Sequence, residues 1–378
     1  LTLQAELSLA PHRIQTIVVR TVERATGREQ LYPANPTRLS HQVGPWRRYR
    51  VEARVSWEDI DSEAREEFQD VSLLVTSQAG TAAVRVPASV SFAGQLGRLR
   101  SGLVERGETA TFYDPRLTFK ARLLTIYTST LPAESVRTFH RLAKGLGLRR
   151  WLYRRRNRPL WLIGELPYKA QDTGAAFFAY VCAEHPEIDA RYVVAHDSPD
   201  LAAIQAVGPT LIHGSPEHVA AALLADRVVG SHHADYLFPA RVPAVRKKVR
   251  GIRVFLQHGV MGTKWMANLY GRGLGGFVTD LFIVSSPRER DLIRRDFHYR
   301  PEQIAVTGLS RFDTLLTPSE PRQQIAVIPT WRDWVLTPED FRESEFLERW
   351  RSLLTHPRFA QLARGCDVVV MLHPNFRH

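Results

Sequence analysis

The chain has 378 residues, 44% of them hydrophobic and 24% charged, with a net charge of +12. That is the composition of a globular protein with room for two or three domains, so disordered, collagen-like and fibrous classes are excluded. No run of 18 apolar residues occurs and only Cys182 and Cys366 are present, which excludes a membrane-spanning helix, a disulfide framework and a cysteine-based zinc site.

The basic balance predicts an anionic partner: nucleic acid, an acidic membrane surface or a phosphorylated substrate. Two cysteines fit a reducing cytoplasm. The chain starts at Leu1, shows no signal peptide and stops at Leu372-His373-Pro374-Asn375-Phe376-Arg377-His378. A fragment cut at both ends is the expectation.

Residues 1–130 read as β-rich. Short, β-branched or aromatic, partly alternating runs occur at 2–9, 14–22, 49–57, 71–76, 82–86 and 117–127. Turn signals separate them, at Thr26-Gly27, Pro33-Ala34-Asn35-Pro36, Gln78-Ala79-Gly80 and Glu105-Arg106-Gly107. The spacing predicts a small sandwich or barrel. Asp59, Asp61 and Glu63 lack the glycine and distal glutamate of a calcium loop, so a solvated acidic turn is the better reading. An accessory or targeting role is the default for this region.

Residues 131–158 form a basic amphipathic segment. Phe139, Leu142, Ala143 and Leu146 follow helical spacing, with Arg137, Arg141 and Lys144 off that face. Six arginines follow, Arg149, Arg150, Arg154, Arg155, Arg156 and Arg158, around Trp151, Leu152 and Tyr153. Such a segment suits an anionic bilayer. A packed linker helix and an RNA-binding patch are the competing readings.

From Pro159 short apolar strands alternate with helices, which predicts a mostly parallel sheet covered on both faces. Strands fall at 161–163, 192–194, 210–212, 227–229, 254–257, 281–284 and 304–306. Helices fall at 174–183, 201–207, 216–224 and 287–297. Ligands bind outside the carboxyl ends of such strands, and four loops there carry unusual residues. The first is Glu165 to Gly174, where Asp172 or Thr173 also suits a helix N-cap. The second is Ser231-His232-His233-Ala234-Asp235-Tyr236. Adjacent histidines in an extended segment point to opposite faces, which argues against one joint metal site. The third is Gln257-His258-Gly259. An imidazole at a strand end is placed to take a proton from a hydroxyl, and Gly259 is expected to let the backbone turn and approach a ligand. The bland reading is a histidine that caps the strand. The fourth is Thr307-Gly308-Leu309-Ser310-Arg311-Phe312-Asp313. Arg311 suits a phosphate clamp, or a structural ion pair with Asp313.

The alternation then restarts, with strands at 325–328 and 367–372 and a helix at 338–354. Thr330 and Arg332 follow the first strand, and His373 and Asn375 the second. Arg332 and His373 are donors for diphosphate oxygens. The stretch 323–378 is about half of a doubly wound domain. Neither a P-loop nor a Gly-x-Gly-x-x-Gly fingerprint is present.

Six motifs in this order resemble the CDP-glycerol glycerophosphotransferase family, the primases and polymerases of teichoic acid and related polymers. They are Gln171-Asp172-Thr173-Gly174 with Phe177-Phe178; Ser231-His232-His233-Ala234-Asp235-Tyr236 with Pro239; Leu256-Gln257-His258-Gly259-Val260; Thr307-Gly308-Leu309-Ser310-Arg311-Phe312-Asp313; Pro329-Thr330-Trp331-Arg332; and Leu372-His373-Pro374-Asn375. The resemblance covers about residues 159 to 378; the β-rich region lies outside it. It implies an α/β two-domain glycosyltransferase-B-like fold of Rossmann-like domains, the second truncated, behind a β-rich N-terminal accessory domain. The expected divisions are 1–130, 131–158, 159–322 and 323–378.

The same resemblance implies transfer of glycerol phosphate from CDP-glycerol, as co-substrate, to a lipid-linked polyol-phosphate acceptor, with release of CMP. It also implies peripheral association with the cytoplasmic face of the membrane, here through 137–158, and no nucleic acid. No tightly bound cofactor and no metal site are expected; a divalent-metal requirement stays open. His258 resembles the family's catalytic base and His373 the histidine at the donor diphosphate. Asp172, Ser231, His232, Gly259, Arg311, Asp313, Thr330, Arg332 and Asn375 are the candidate substrate- and donor-binding residues. The family commonly has Asn where Thr173 stands, and its later donor-binding motifs are absent, so the piece alone is expected to be inactive or nearly so. A nucleotide-sugar transferase of the same architecture and a non-catalytic membrane-surface scaffold are the alternatives.

Overall fold

The computed structural model describes residues 2–9, 14–43, 46–61, 65–85, 87–89, 101–118, 121–262, 264–274, 276–318, 320–330, 332, 334–335 and 338–373. Glu63 and Asn375, both named above, lie outside the described residues. The chain divides into two compact units, Leu1–Thr314 and Leu315–His378.

The first unit begins with ten strands: β1 (Thr2–Leu9), β2 (Ile14–Glu23), β3 (Glu29–Pro33), β4 (Asn35–Val43), β5 (Trp46–Arg54), β6 (Glu66–Ser77), β7 (Gly80–Val84), β8 (Gly102–Arg106), β9 (Thr109–Leu117) and β10 (Leu124–Pro132). They form two antiparallel sheets, β1-β5-β4 and β3-β2-β6-β10-β9-β8, with β7 on β6. Leu7, Val51 and Ala53 of the small sheet meet Val19, Val71, Leu73 and Ile126 of the large one in one buried cluster. Each such side chain removed from water contributes roughly 1.5–3 kcal/mol, less for Ala.

Two sequence expectations fail here. The run 117–127 is not one strand: it holds the end of β9 at Leu117 and the start of β10 at Leu124, with Thr118 N–H on the Leu123 carbonyl at 2.8 Å between them. Likewise Pro33-Ala34-Asn35-Pro36 is not an extended turn, since only Ala34 separates β3 from β4.

Two helices follow, α1 (Ala133–Ala143) and α2 (Leu146–Arg156). Gly145 between them has φ +66°, a left-handed position that suits glycine. Val136, Phe139 and Leu146 are buried in a core that also holds Phe112, Tyr127 and Leu131 of the β-rich region and Leu160, Leu162, Val193 and Val228 farther on. The apolar face read from helical spacing is therefore consumed by this core.

The rest of the unit is a seven-stranded parallel sheet. Its strands are β11 (Leu160–Gly164), β12 (Asp189–Val194), β13 (Thr210–Ile212), β14 (Arg227–Gly230), β15 (Ile252–Phe255), β16 (Leu281–Val284) and β17 (Ile304–Val306). The main helices are α3 (Thr173–Glu184), α4 (Leu201–Val207), α5 (Pro216–Leu224) and α6 (Pro287–Phe297). The order β13-β12-β11-β14-β15-β16-β17 reverses direction between β11 and β14. In a doubly wound sheet this switch point opens a crevice at the carboxyl ends of the strands.

The second unit, by itself, pairs β18 (Gln324–Val327) parallel to β19 (Asp367–Val370). The single helix expected at 338–354 is two, α7 (Pro338–Arg342) and α8 (Glu345–Thr355). Ser344 divides them, its side chain accepting the Leu347 N–H at 3.1 Å as the cap of α8. Then comes α9 (Pro357–Leu362).

Candidate active site

The loops after β11, β14 and β15 converge at the switch point, and the loop after β17 joins them. The centre is a pair of imidazoles. His258 and His232 stack with ring centroids 4.2 Å apart and planes 4° from parallel. His258 Nδ1 lies 3.1 Å from the Ser231 carbonyl oxygen. A carbonyl only accepts, so Nδ1 carries a proton, and in the neutral ring the lone pair is therefore on Nε2. Ser231 is fully buried, and its own N–H donates to the Gly164 carbonyl at 3.2 Å. The acceptor that sets the tautomer is thus built into the sheet. Tyr270 and Phe255 pack edge-on to the His258 ring at 6.2 and 6.5 Å.

His232 has a different character. Burial first, then His258 and Lys169 nearby, pushes its imidazole down to about 3, so it is neutral beneath His258. Its Nδ1 lies 3.0 Å from Ser231 Oγ. His233 turns elsewhere: its Nδ1 accepts the Asp235 N–H at 3.0 Å, its Nε2 donates to the Gly276 carbonyl at 3.2 Å, and its ring sits edge-on to Phe277. Among the described residues no group of three His, Cys, Asp or Glu is arranged to hold a metal ion.

The loop after β11 supplies Asp172, the cap of α3. Its Oδ1 accepts the Thr173 N–H at 2.8 Å and a hydrogen bond from Arg311 Nη1 at 2.6 Å. Arg311 therefore pairs with Asp172 rather than with Asp313, which is exposed. Ser310 Oγ donates to the Thr173 carbonyl at 2.7 Å, tying the β17 loop to the start of α3. Beneath them the buried Glu165 accepts the N–H groups of Asp172, Ala175 and Gln171 at 2.8, 2.9 and 3.2 Å. Burial pushes its carboxyl up, opposed by those three bonds.

The turn at His258 differs from the sequence reading. The positive φ of +64° belongs to Gln257, not Gly259, and a Cβ on Gly259 would meet nothing within 4 Å. Gln257 holds this costly conformation because its side chain is fully buried and donates to the Ile283 carbonyl at 2.6 Å and to Glu289 at 3.2 Å. Sequence reasoning placed Glu165, Lys169 and Gln257 in strand-end loops without giving them a role, and it missed Glu289. The signal for Glu289 was present as Ser286-Pro287-Arg288-Glu289, but it reads as an ordinary helix start.

In the second unit, Thr330 and His373 follow the carboxyl ends of the adjacent parallel strands β18 and β19. Arg332 Nη1 donates to Thr330 Oγ1 at 2.7 Å, and its guanidinium lies 4.7 Å over Phe346.

No family model matches the chain. The minor teichoic acid biosynthesis protein GgaB of Bacillus subtilis (strain 168) is 25% identical over 236 residues, covering 58% of this chain and 25% of GgaB. The chain spans about a quarter of that relative's length. Among solved structures, the wall teichoic acid polymerase TagF is 15% identical, with 65% of this chain and 67% of that one covered and a TM-score of 0.41. Anabaena HepE in complex with UDP is 12% identical, with 58% and 70% covered and a TM-score of 0.33. The kinship with GgaB supports the CDP-glycerol glycerophosphotransferase-like family that the six motifs resemble.

Proposed function

We propose that the chain belongs to a transferase of teichoic-acid-like polymer synthesis, moving glycerol phosphate or a related polyol phosphate from a CDP-polyol to a lipid-linked acceptor. One observation supports this most directly. His258 lies at the carboxyl edge of a parallel sheet beside its switch point, with Nδ1–H committed to Ser231 and Nε2 left as a base. In the reaction, Nε2 takes the proton of the acceptor's terminal hydroxyl as that oxygen attacks the β-phosphorus of the donor. The bond from the β-phosphorus to the bridging oxygen breaks, and CMP leaves with the electron pair.

Neutral His232 keeps a second positive charge away from His258 as the latter gains its proton. Arg311 spends one N–H on Asp172 and has others for a phosphate oxygen. In this proposal His373, Arg332, Thr330 and Asn375 hold the donor diphosphate, Gly259 lines the acceptor and Asp313 contacts the substrate from the β17 loop, whereas Ser231, fully buried, acts through His258 and not on the substrate as its sequence position suggested. The same proposal divides the chain by role at 1–130, 131–158, 159–322 and 323–378. A cytoplasmic location on the inner face of the membrane belongs to the same proposal. Among the described residues no helix is long and apolar enough to cross a membrane.

The test is CMP release from CDP-glycerol and CDP-ribitol, with lipid acceptor in vesicles, using the longest natural form of the protein. His258→Ala is expected to lower turnover by about 10²–10⁴-fold. Equal turnover in the variant removes His258 as the base. Turnover with UDP-sugars and none with CDP-polyols establishes the sugar-transferase alternative, and vesicle binding with no turnover on any donor establishes the scaffold.

A further inference from the structure

The turn carrying His258 hangs on a carboxyl group from another element. Glu289 sits in the first turn of α6, is 3% exposed and receives four donors on its two oxygens. Oε1 accepts the Met261 N–H at 2.7 Å and Gln257 Nε2 at 3.2 Å. Oε2 accepts the Ser285 N–H at 2.6 Å and Ser285 Oγ at 2.7 Å. Met261 and Gln257 bracket His258, whereas Ser285 directly follows the neighbouring strand β16. One side chain therefore sets the path of the 257–261 turn against the sheet.

A simple helix cap does not account for this geometry. In a capping box the glutamate three residues after the cap returns to the cap's own N–H. Here Ser286 caps α6, with its Oγ accepting the Glu289 N–H at 3.3 Å, but the carboxyl reaches past Ser286 to Ser285, Met261 and Gln257. Those bonds anchor the left-handed Gln257 and hold the following residue, His258, where its Nδ1–H meets the Ser231 carbonyl.

We propose that Glu289 is a positioning residue that fixes the 257–261 turn and, through it, the tautomer of the His258 imidazole. This rests on the reading of His258 as the base, and the test separates the two. The His258 side-chain nitrogens are followed by ¹H–¹⁵N NMR in wild type, Glu289→Ala, Glu289→Gln and Ser285→Ala, alongside CMP release. Wild type is expected to hold the proton on Nδ1. Glu289→Ala is expected to mix the tautomers and lower kcat by about 10- to 100-fold with KM for the donor unchanged. Ser285→Ala removes one Glu289 bond away from the turn, so it is expected to lower stability and leave the tautomer intact.

A folded Glu289→Ala protein with the wild-type tautomer overturns the proposal, as does a Ser285→Ala protein that loses the tautomer equally. Where Glu289→Ala does not fold, Glu289→Gln carries the test. With one oxygen instead of two, either Met261 N–H or Ser285 N–H faces an amide NH₂, and the same mixing is expected; an unchanged tautomer there overturns the proposal. No CDP-polyol turnover by the longest natural form of the protein defeats the function reading, while the NMR result still decides Glu289.

Discussion

Two glycines beside the candidate site make opposite demands. A Cβ on Gly174 would lie 2.6 Å from the Gly164 carbonyl oxygen and 2.8 Å from Glu165 Cγ. Since a strand carbonyl cannot swing aside, Gly174→Ala must lift α3 from β11. Overpacking of this kind costs about 1–3 kcal/mol, against a helix-propensity gain of about 1 kcal/mol at most. Gly174→Ala is therefore expected to lower the urea midpoint and, by shifting Asp172 and Arg311, to lower turnover. Gly259→Ala has open space at its Cβ and is expected to leave stability within about 0.5 kcal/mol, so an activity loss there reports a ligand rather than the fold. Unchanged stability in Gly174→Ala sinks the close-approach argument. At this scale the sequence was legible where chemistry is local: Gln257-His258-Gly259 stood out as a strand-end motif. It misassigned the turn to Gly259 because the interaction that sustains a left-handed Gln257 comes from Ile283 and Glu289, remote in sequence.

Between elements, a buried histidine pair joins the β-rich region to the parallel sheet. His218 Nδ1 accepts the Gly214 N–H at 2.9 Å and its Nε2 donates to the Leu237 carbonyl at 3.0 Å. His213 Nε2 donates to the Phe238 carbonyl at 2.9 Å, and Arg65, just before β6, bonds to His213. Protonating His218 at Nδ1 would set a donor against the Gly214 N–H. Burial, with Arg65 adding to it, pushes His218 down to about 4, and burial pushes His213 well below the usual imidazole range. Both folded pKa values lie below the unfolded one, so the unfolded chain binds more protons under acid and stability falls with pH. His218 alone is expected to remove on the order of 3 kcal/mol between pH 6.5 and 4. Urea midpoints across that window should show the loss, and His218→Gln, neutral throughout, should lessen it to the part that His213 contributes; an equal slope in the variant sinks the assignment. This join was not legible in the sequence. The alternation of strands and helices after residue 159 was clear because parallel strands are short apolar runs. The docking of β9, β10 and α1 onto that sheet depends on side chains far apart in the chain, such as Glu66 and Arg241, paired at 2.7 Å.

For the molecule as a whole, the +12 charge acquires a location. The arginine-rich segment divides its labour along α2. One side is pinned: Leu146 is buried, Arg150 Nε donates to the Leu223 carbonyl at 2.7 Å, and Arg154 pairs with Asp226. The other side is free of the core, with Leu148 64% and Trp151 51% exposed, one helical turn apart, beside Leu152. Arg149, Arg155 and Arg156 flank them, and the Arg155 guanidinium lies 4.8 Å over the Trp151 ring. An apolar strip bordered by cations matches an anionic bilayer, where each basic group contributes roughly 1 kcal/mol and the apolar side chains add burial. In our proposal this face brings the base to a lipid-linked acceptor that cannot leave the membrane. Leu148→Ala with Trp151→Ala is expected to weaken binding to phosphatidylglycerol-containing vesicles about tenfold or more. The double variant should keep its thermal midpoint, because neither side chain belongs to the buried core. Raising the salt from 0.1 to 0.5 M should weaken wild-type binding further by screening the arginines. Sedimentation with vesicles measures both effects. Equal binding to neutral and anionic vesicles, or a double variant that binds like wild type, would move the acceptor-facing surface elsewhere and leave α2 as a packed linker.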